Sequence, residues 1–317
     1  MGMVRVIALF AIAVVCALFT GPPSRQPSWA EGAPESWAKL DVSAIQDRGD
    51  GFMCPMDRDV ISKTPGFCPR CRMKLVKIEA SHQADSLEYP VRISTDPKVL
   101  QPGAVARLDF RVDNPETHQP VRDFEVVHEK LYHVFLVSQD LTFFLHTHPQ
   151  PEADARLQLD VRLPESGMYR VLSDFYPKGG TPQLVVNTFI VPGAGLAPTR
   201  AKLAQDLAAQ QAENLKVELA TEPARPVAHG TTQVLFRLRP NDGIEPYLGV
   251  MAHMLAASSD LIDMIHSHPI QVTDRSDYKQ LQFQMIFPRA GIYRVWVQSQ
   301  RKGVVNTVAF NVPIAEN

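Results

Sequence analysis

Tyr132-His-Val-Phe-Leu-Val-Ser-Gln-Asp-Leu-Thr-Phe-Phe-Leu-His-Thr-His-Pro149 returns in altered form as Ala252-His-Met-Leu-Ala-Ala-Ser-Ser-Asp-Leu-Ile-Asp-Met-Ile-His-Ser-His-Pro269. The two stretches align at an offset of 120 residues. Further on the offset becomes 124, where Ser166-Gly-Met-Tyr-Arg-Val171 matches Ala290-Gly-Ile-Tyr-Arg-Val295. Lys178-Gly179 likewise matches Lys302-Gly303, and Asn187-Thr188 matches Asn306-Thr307 after a shorter turn. Correspondence over such a span means that one folding unit of roughly a hundred residues occurs twice.

Outside the quoted segments the pattern is that of strands. Ala106, Leu108, Phe110 and Val112 alternate with Arg107, Asp109, Arg111 and Asp113, and Leu157, Leu159, Val161 and Leu163 alternate with polar neighbours. A period of two buries one face of a sheet. Pro and Gly interrupt the runs at Gln101-Pro-Gly, Pro164-Glu-Ser-Gly and Pro177-Lys-Gly-Gly. The expected fold is mainly β, with two tandem immunoglobulin- or cupredoxin-like sandwiches of about seven short strands each. They are placed at residues 88–195 and 214–317; a single fused sandwich or barrel is the other architecture. Residues 196–213, rich in Ala, Gln, Lys and Glu, form a helix-prone connector. Gly167/Tyr169 and Gly291/Tyr293 resemble tyrosine corners, a structural role, and Trp296 is expected in a core.

The repeated segment carries chemistry as well as fold. His146-Thr-His148 and His266-Ser-His268 each set two imidazoles on one side of a strand, because strand neighbours alternate faces. His133 and His253 lie thirteen residues before the first histidine of each pair. A turn at Ser138 to Asp140, and at Ser259-Asp260, would fold each segment into a hairpin and bring three histidines together. Such a triad suits Cu(II) or Zn(II). In the second copy Met251, Met254 and Met264 add donors suited to Cu(I), although methionines are more often packing residues. A buried hydrogen-bond network that fixes the turn fits the same residues, and both readings stay open. The remaining histidines, His82, His118, His128 and His229, are scattered over loops and are expected to be exposed.

A second cluster lies nearer the start. Cys54-Pro-Met-Asp is followed by Cys68-Pro-Arg-Cys-Arg-Met73, three thiols and two thioethers within residues 54–73. Thiolates and thioethers are soft donors suited to Cu(I), and thiolates also to Zn(II). A Cys-x-x-Cys knuckle paired with a second knuckle is the layout of a zinc ribbon, and here Cys68/Cys71 would face Cys54 with Asp57. The candidate ligands are Cys54, Cys68 and Cys71, with Met56, Met73 and Asp57 in support.

Phe52-Met-Cys-Pro-Met-Asp-Arg-Asp-Val60 and Pro65-Gly-Phe-Cys-Pro-Arg-Cys-Arg-Met-Lys-Leu75 resemble the short heavy-metal-binding domain at the N-terminus of copper-transporting P-type ATPases and of periplasmic adaptors of metal-efflux systems. The resemblance covers residues 51–77 and implies metal binding. Two positions depart from the family pattern: Asp57 stands where it has histidine, and Arg72 where it has glycine. A carboxylate is a harder donor than imidazole, so the metal, copper or zinc, does not carry over. The duplicated region also looks like the C-terminal part of other exported proteins with this module.

Arg5, the apolar run Val6–Leu18 and Ser28-Trp-Ala30 read as a secretory signal over residues 1–30, with 31–50 as a linker. An uncleaved anchor is the alternative. The full chain of 317 residues has 32 basic and 34 acidic residues. Removing Arg5 and Arg25 leaves 30 against 34, a net −4, without the basic stripe that nucleic acid requires. Four cysteines become three once Cys16 is gone, a poor disulfide framework, although a Cys68–Cys71 disulfide would remove two ligands. No Gly-x-Ser-x-Gly elbow or phosphate loop is present, so catalysis is not expected. These features describe an exported, non-enzymatic heavy-metal protein, most simply handling copper in the periplasm with a membrane transporter or efflux component as partner. An interaction scaffold with a structural zinc ribbon is the alternative. A redox or hydrolytic centre at the histidines is a third reading.

Overall fold

Residues 51–54, 60–68, 74–78, 87–193 and 201–317 are described by a computed structural model, and their regular structure is strand throughout. The expected signal peptide and the 31–50 linker lie outside the described residues. A small three-stranded sheet comes first, with β1 (Gly51–Met53) between β2 (Ile61–Ser62) and β3 (Val76–Ile78).

The first repeat contributes β4 (Val91–Asp96), β5 (Val105–Val112), β6 (Tyr132–Ser138), β7 (Phe144–Thr147), β8 (Gln150–Pro151), β9 (Leu157–Arg162), β10 (Gly167–Phe175) and β11 (Gln183–Val191). They pair as an outer sheet β4-β5-β9-β8 and an inner sheet β11-β10-β6-β7. The second repeat contributes β12 (Gln210–Gln211), β13 (Lys216–Glu222), β14 (Thr231–Arg239), β15 (Ile244–Glu245), β16 (His253–Ser258), β17 (Met264–Ser267), β18 (Gln271–Asp274), β19 (Lys279–Ile286), β20 (Gly291–Arg301) and β21 (Val304–Ile314). Its outer sheet is β12-β13-β14-β19-β18, and its inner sheet is β15-β20-β16-β17 with β21 on β20. Every pairing between these strands is antiparallel.

Each repeat has its own core, which decides for two sandwiches over one fused barrel. Leu108, Phe110, Val134, Leu136, Leu159 and Val171 fill the first. Val234, Phe236, Met254, Ala256, Phe283 and Val295 fill the second. The alternating residues of β5 and β9 point inward as their sequence pattern requires. Tyr169 Oη donates to Glu165 O at 3.0 Å and Tyr293 Oη to Arg289 O at 3.1 Å, so both tyrosine corners are structural.

The central strands do more than a one-sided pattern would suggest. All seven residues of β6 and all six of β16 are buried. Even-numbered residues of β6 face their own sandwich, whereas Phe135 and Val137 join Leu172, Leu255, Ala257, Met264 and Trp296 in a third core between the repeats. Phe144 stacks on Trp296 across this seam at 4.9 Å. Each large apolar side chain so buried stabilises by about 1.5–3 kcal/mol, against about 1 kcal/mol net for a hydrogen bond. Apolar burial therefore fixes the two inner sheets face to face, and the polar groups at the seam are placed by it.

Two local expectations need correction. Within the described part of the connector, residues 201–213, no helix forms: Asp206 pairs with Asn311 of β21 and Gln210–Gln211 joins the outer sheet. Backbone pairing to a sheet edge overrides weak helix propensity. In the second hairpin the turn serine is Ser258 rather than Ser259. Ser258 Oγ donates to Asp260 Oδ1 at 2.6 Å, as Ser138 does to Asp140.

Candidate metal centres

The cysteine module is built on two closed turns. Cys54 N donates to Val60 O at 2.9 Å and Leu75 N to Gly66 O at 2.8 Å, which folds each knuckle back on itself. Cys54 and Cys68 are fully buried and pack together with Leu75. The two thiols thus share one small interior, as a common metal would need. Cys71, Met56, Met73 and Asp57 lie outside the described residues. Met53 packs against Tyr176 of the first repeat, anchoring the module there.

Between the module and both repeats runs a cleft of about 800 Å³. Its lining includes Phe52 and Val76 of the module, Val126 and His128 of the first repeat, and Met251 and Pro269 of the second. Of the three methionines of the second copy, Met251 lines this cleft and packs against the second core, while Met254 and Met264 are buried within cores.

The six predicted histidines converge at the seam. Register pairs Phe135 with His146 and Val134 with Thr147, so the hairpin brings His148 beside His133. The second copy repeats this with Leu255 opposite His266 and Met254 opposite Ser267. In the first triad His133 Nδ1 lies 3.3 Å from His146 Nε2 and 3.1 Å from His148 Nε2. In the second, His268 Nε2 lies 2.9 Å from His253 Nδ1, and one ring nitrogen from each of the three falls within 4.8 Å of the others. The triads abut: the His146 and His253 rings are 5.0 Å apart, and His133 and His266 are 6.2 Å apart.

The outward nitrogens are held by acceptors that carry no proton. His133 Nε2 donates to Val127 O at 2.9 Å, and His253 Nε2 to Tyr247 O at 3.1 Å. His146 Nδ1 donates to Gln298 Oε1 at 2.8 Å, and His266 Nδ1 to Asp174 Oδ2 at 2.7 Å. Gln298 in turn donates from Nε2 to Thr307 Oγ1 at 2.9 Å. A neutral imidazole has one N–H, so four bare lone pairs are left on His133 Nδ1, His146 Nε2, His253 Nδ1 and His266 Nε2. Two of them meet at 3.3 Å, a contact that is no hydrogen bond without a cation between them. His266 Nε2 is buried with no hydrogen-bond partner among the described residues.

A seventh imidazole completes the cluster, against expectation. His128 is partly buried and aims into the seam, its ring 3.9 Å from that of His268 and 5.6 Å from that of His253. It sits with Glu129 at the centre of a two-residue hairpin turn closed by Val127 and Lys130, with φ of 49° and 64°. Both angles are left-handed, a conformation that turns of this kind require. The second copy uses Leu248 and Gly249 in the same turn, so the histidine belongs to the first copy alone. His118 and His229 are exposed as expected, and His82 lies outside the described residues.

Burial dominates the electrostatics. It holds His133 at about 4, and His128 and His148 at about 3, with neighbouring imidazoles adding repulsion. His146, His253 and His268 are pushed well below the usual range for the same reason. Burial alone would raise the Asp174 carboxyl, but the His266 hydrogen bond and nearby imidazoles outweigh it and leave Asp174 ionised. His128, His133, His146, His148, His253 and His268 are therefore neutral imidazoles at neutral pH, the form that ligates metals.

Sequence reasoning missed His128, Asp174 and Gln298. The last two were within reach: they occupy the same position at offset 124, opposite His133 and His253 on neighbouring strands. No such signal marked His128, whose partner position holds leucine.

Duplicated β-sandwiches with imidazole triads at their seam and a cysteine module beside them make this a metal-module-bearing tandem β protein. The chain belongs to the family described as "Domain of unknown function (DUF8832)", whose model matches twice, at residues 83–192 and 200–316. Residues 52–78 match the model described as "Heavy metal binding domain", and heavy-metal binding by the module rests on that match. No curated protein matches the chain. Solved structures similar to it include FdeC, an Escherichia coli adhesin, at 10% identity and TM-score 0.25, over 80% of this chain and 75% of that one. Another is a structure of carbohydrate-binding modules from the β-sandwich superfamily, at 11% identity and TM-score 0.21, over 73% and 98%. Among the described residues no helix is long and apolar enough to cross a membrane.

Proposed function

We propose that this is an exported carrier that takes up a soft heavy-metal ion, copper before zinc, in the periplasm and does not catalyse a reaction on it. The observation that carries the reading is the heavy-metal-binding domain at residues 52–78, with Cys54 and Cys68 buried side by side next to a cleft lined by His128. The ion is the cargo. Cys54, Cys68 and Cys71 would capture it as thiolates, with Met56 and Met73 as auxiliary soft donors. The signal-like residues 1–30 support export, and the resemblance of the module to those of copper pumps and efflux adaptors supports a membrane transporter as the receiving partner. Exchange of ligands one at a time across the cleft would move the ion without releasing it.

Competition titration of the reduced full-length protein with Cu(I) and Zn(II) tests this. Cu(I) should bind tightly, weaken on Met56→Ala or Met73→Ala, and be indifferent to Asp57→Ala. Tight zinc binding that Asp57→Ala abolishes, with the methionines irrelevant, would replace the carrier by a scaffold stabilised by a zinc ribbon.

A further inference from the structure

We infer that the seam between the repeats is a second metal site, a binuclear one, with His133, His146 and His148 holding one divalent first-row ion and His253, His266 and His268 another. The inference goes beyond the cysteine module and does not depend on its thiolates. Three observations carry it. First, donors in the first triad are separated by 3.3 and 3.1 Å. A tetrahedral ion with metal–nitrogen bonds of 2.0–2.1 Å spaces its ligands about 3.3 Å apart, which these two separations match, and all three donors lie within 4.8 Å of one another. Second, four of the six rings turn an N–H outward, which leaves a lone pair facing inward on each in its neutral form. Four outward N–H groups are committed to Val127 O, Tyr247 O, Gln298 and Asp174, the kind of partner that orients metal-bound imidazole. His148 Nε2 and His268 Nε2 can donate to His133 Nδ1 and His253 Nδ1. A buried hydrogen-bond network would also place a donor against His146 Nε2 and His266 Nε2, whereas His146 Nε2 meets the acceptor His133 Nδ1 and His266 Nε2 meets no partner among the described residues.

Third, the orienting groups are exchanged between repeats. His146 of the first is held by Gln298 of the second, and His266 of the second by Asp174 of the first. Each triad is thus aligned only when the repeats close on each other. The facing rings, 5.0–6.2 Å apart, make the two sites neighbours. Imidazole sets of this kind suit zinc and copper. Each triad leaves a fourth position for water or hydroxide, and with the Asp174 carboxylate a hydroxide there offsets the charge of two ions at close range.

The test uses the full-length protein with Cys54, Cys68 and Cys71 replaced by serine, so that failure of the module and failure of the seam are separable. After Co(II) loading and removal of excess metal, two ions per chain are expected, with the visible ligand-field bands of nitrogen-bound tetrahedral cobalt and no sulfur charge-transfer band. His146→Ala and His266→Ala should each lower the count to one, with circular dichroism reporting the fold. Loading with Cu(II) provides a check needing no histidine variant: the electron paramagnetic resonance signal should fall well below that of two isolated ions, because paired ions couple. No bound cobalt, a single ion that either substitution removes, or an undiminished copper signal would overturn the binuclear site.

Discussion

Asp174 and Gln298 occupy equivalent positions, yet one is a carboxylate and the other an amide. Both accept a hydrogen bond from an imidazole across the seam, but only the carboxylate carries negative charge. A charged acceptor makes its imidazole the stronger donor, and loss of such a partner typically costs 10–100-fold in metal affinity. Asp174→Asn should therefore weaken binding at the His253/His266/His268 triad by about that factor while the other triad holds its ion. Competition against a chromophoric chelator would resolve the two steps, and equal weakening of both would contradict the assignment. The triads themselves were legible, because His-x-His on a strand has one geometric meaning. Whether they ligate or merely hydrogen-bond was not, since that depends on which nitrogen faces outward, and the acceptors lie in the other repeat.

The hairpins β6–β7 and β16–β17 place every ligand of the seam. Tyr132–Val137 is a continuous apolar run interrupted only by His133, and such runs belong to strands covered on both faces. The alternating strands β5 and β9 were read correctly because their outer face meets solvent. For β6 and β16 the same sequence held a further message, that a second layer covers them, and this is where the contact between repeats could have been found. Trp296, expected in a core, lies in the one that joins the repeats. Trp296→Ala should cost about 3–5 kcal/mol in urea unfolding and loosen both triads together. A loss below about 1 kcal/mol would mean that the seam is not held by apolar packing. The connector fared worse: composition suggested helix, but edge pairing with β21 settled its backbone.

At the scale of the whole molecule the histidines link stability to pH. In the unfolded chain each titrates near about 6.5, whereas burial holds His133 at about 4 and His128 and His148 at about 3. Below about 6.5 the unfolded state therefore binds more protons, and stability falls as pH falls. Metal-free protein should be most stable above pH 6.5 and lose melting temperature steadily towards pH 4, before most carboxylates titrate. Bound metal should steepen that dependence, since protons and the ion compete for the same lone pairs. Scanning calorimetry from pH 8 to pH 4, with and without Zn(II), measures it; a flat melting temperature across this range would contradict the neutral cluster. The duplication and both sandwiches were visible in the sequence because they repeat. His128 was invisible because it breaks the repetition.

The reciprocal exchange at the seam, His146 to Gln298 and His266 to Asp174, is what two identical subunits make when they meet about a dyad. Tethered in one polypeptide, such a pair is no longer free to part on dilution, and its halves are released from sameness. One half could then acquire an imidazole at position 128 and keep an acid at 174, while the other kept leucine and glutamine. Fusion in this way turns a symmetric homodimer into a single chain with distinguishable sides.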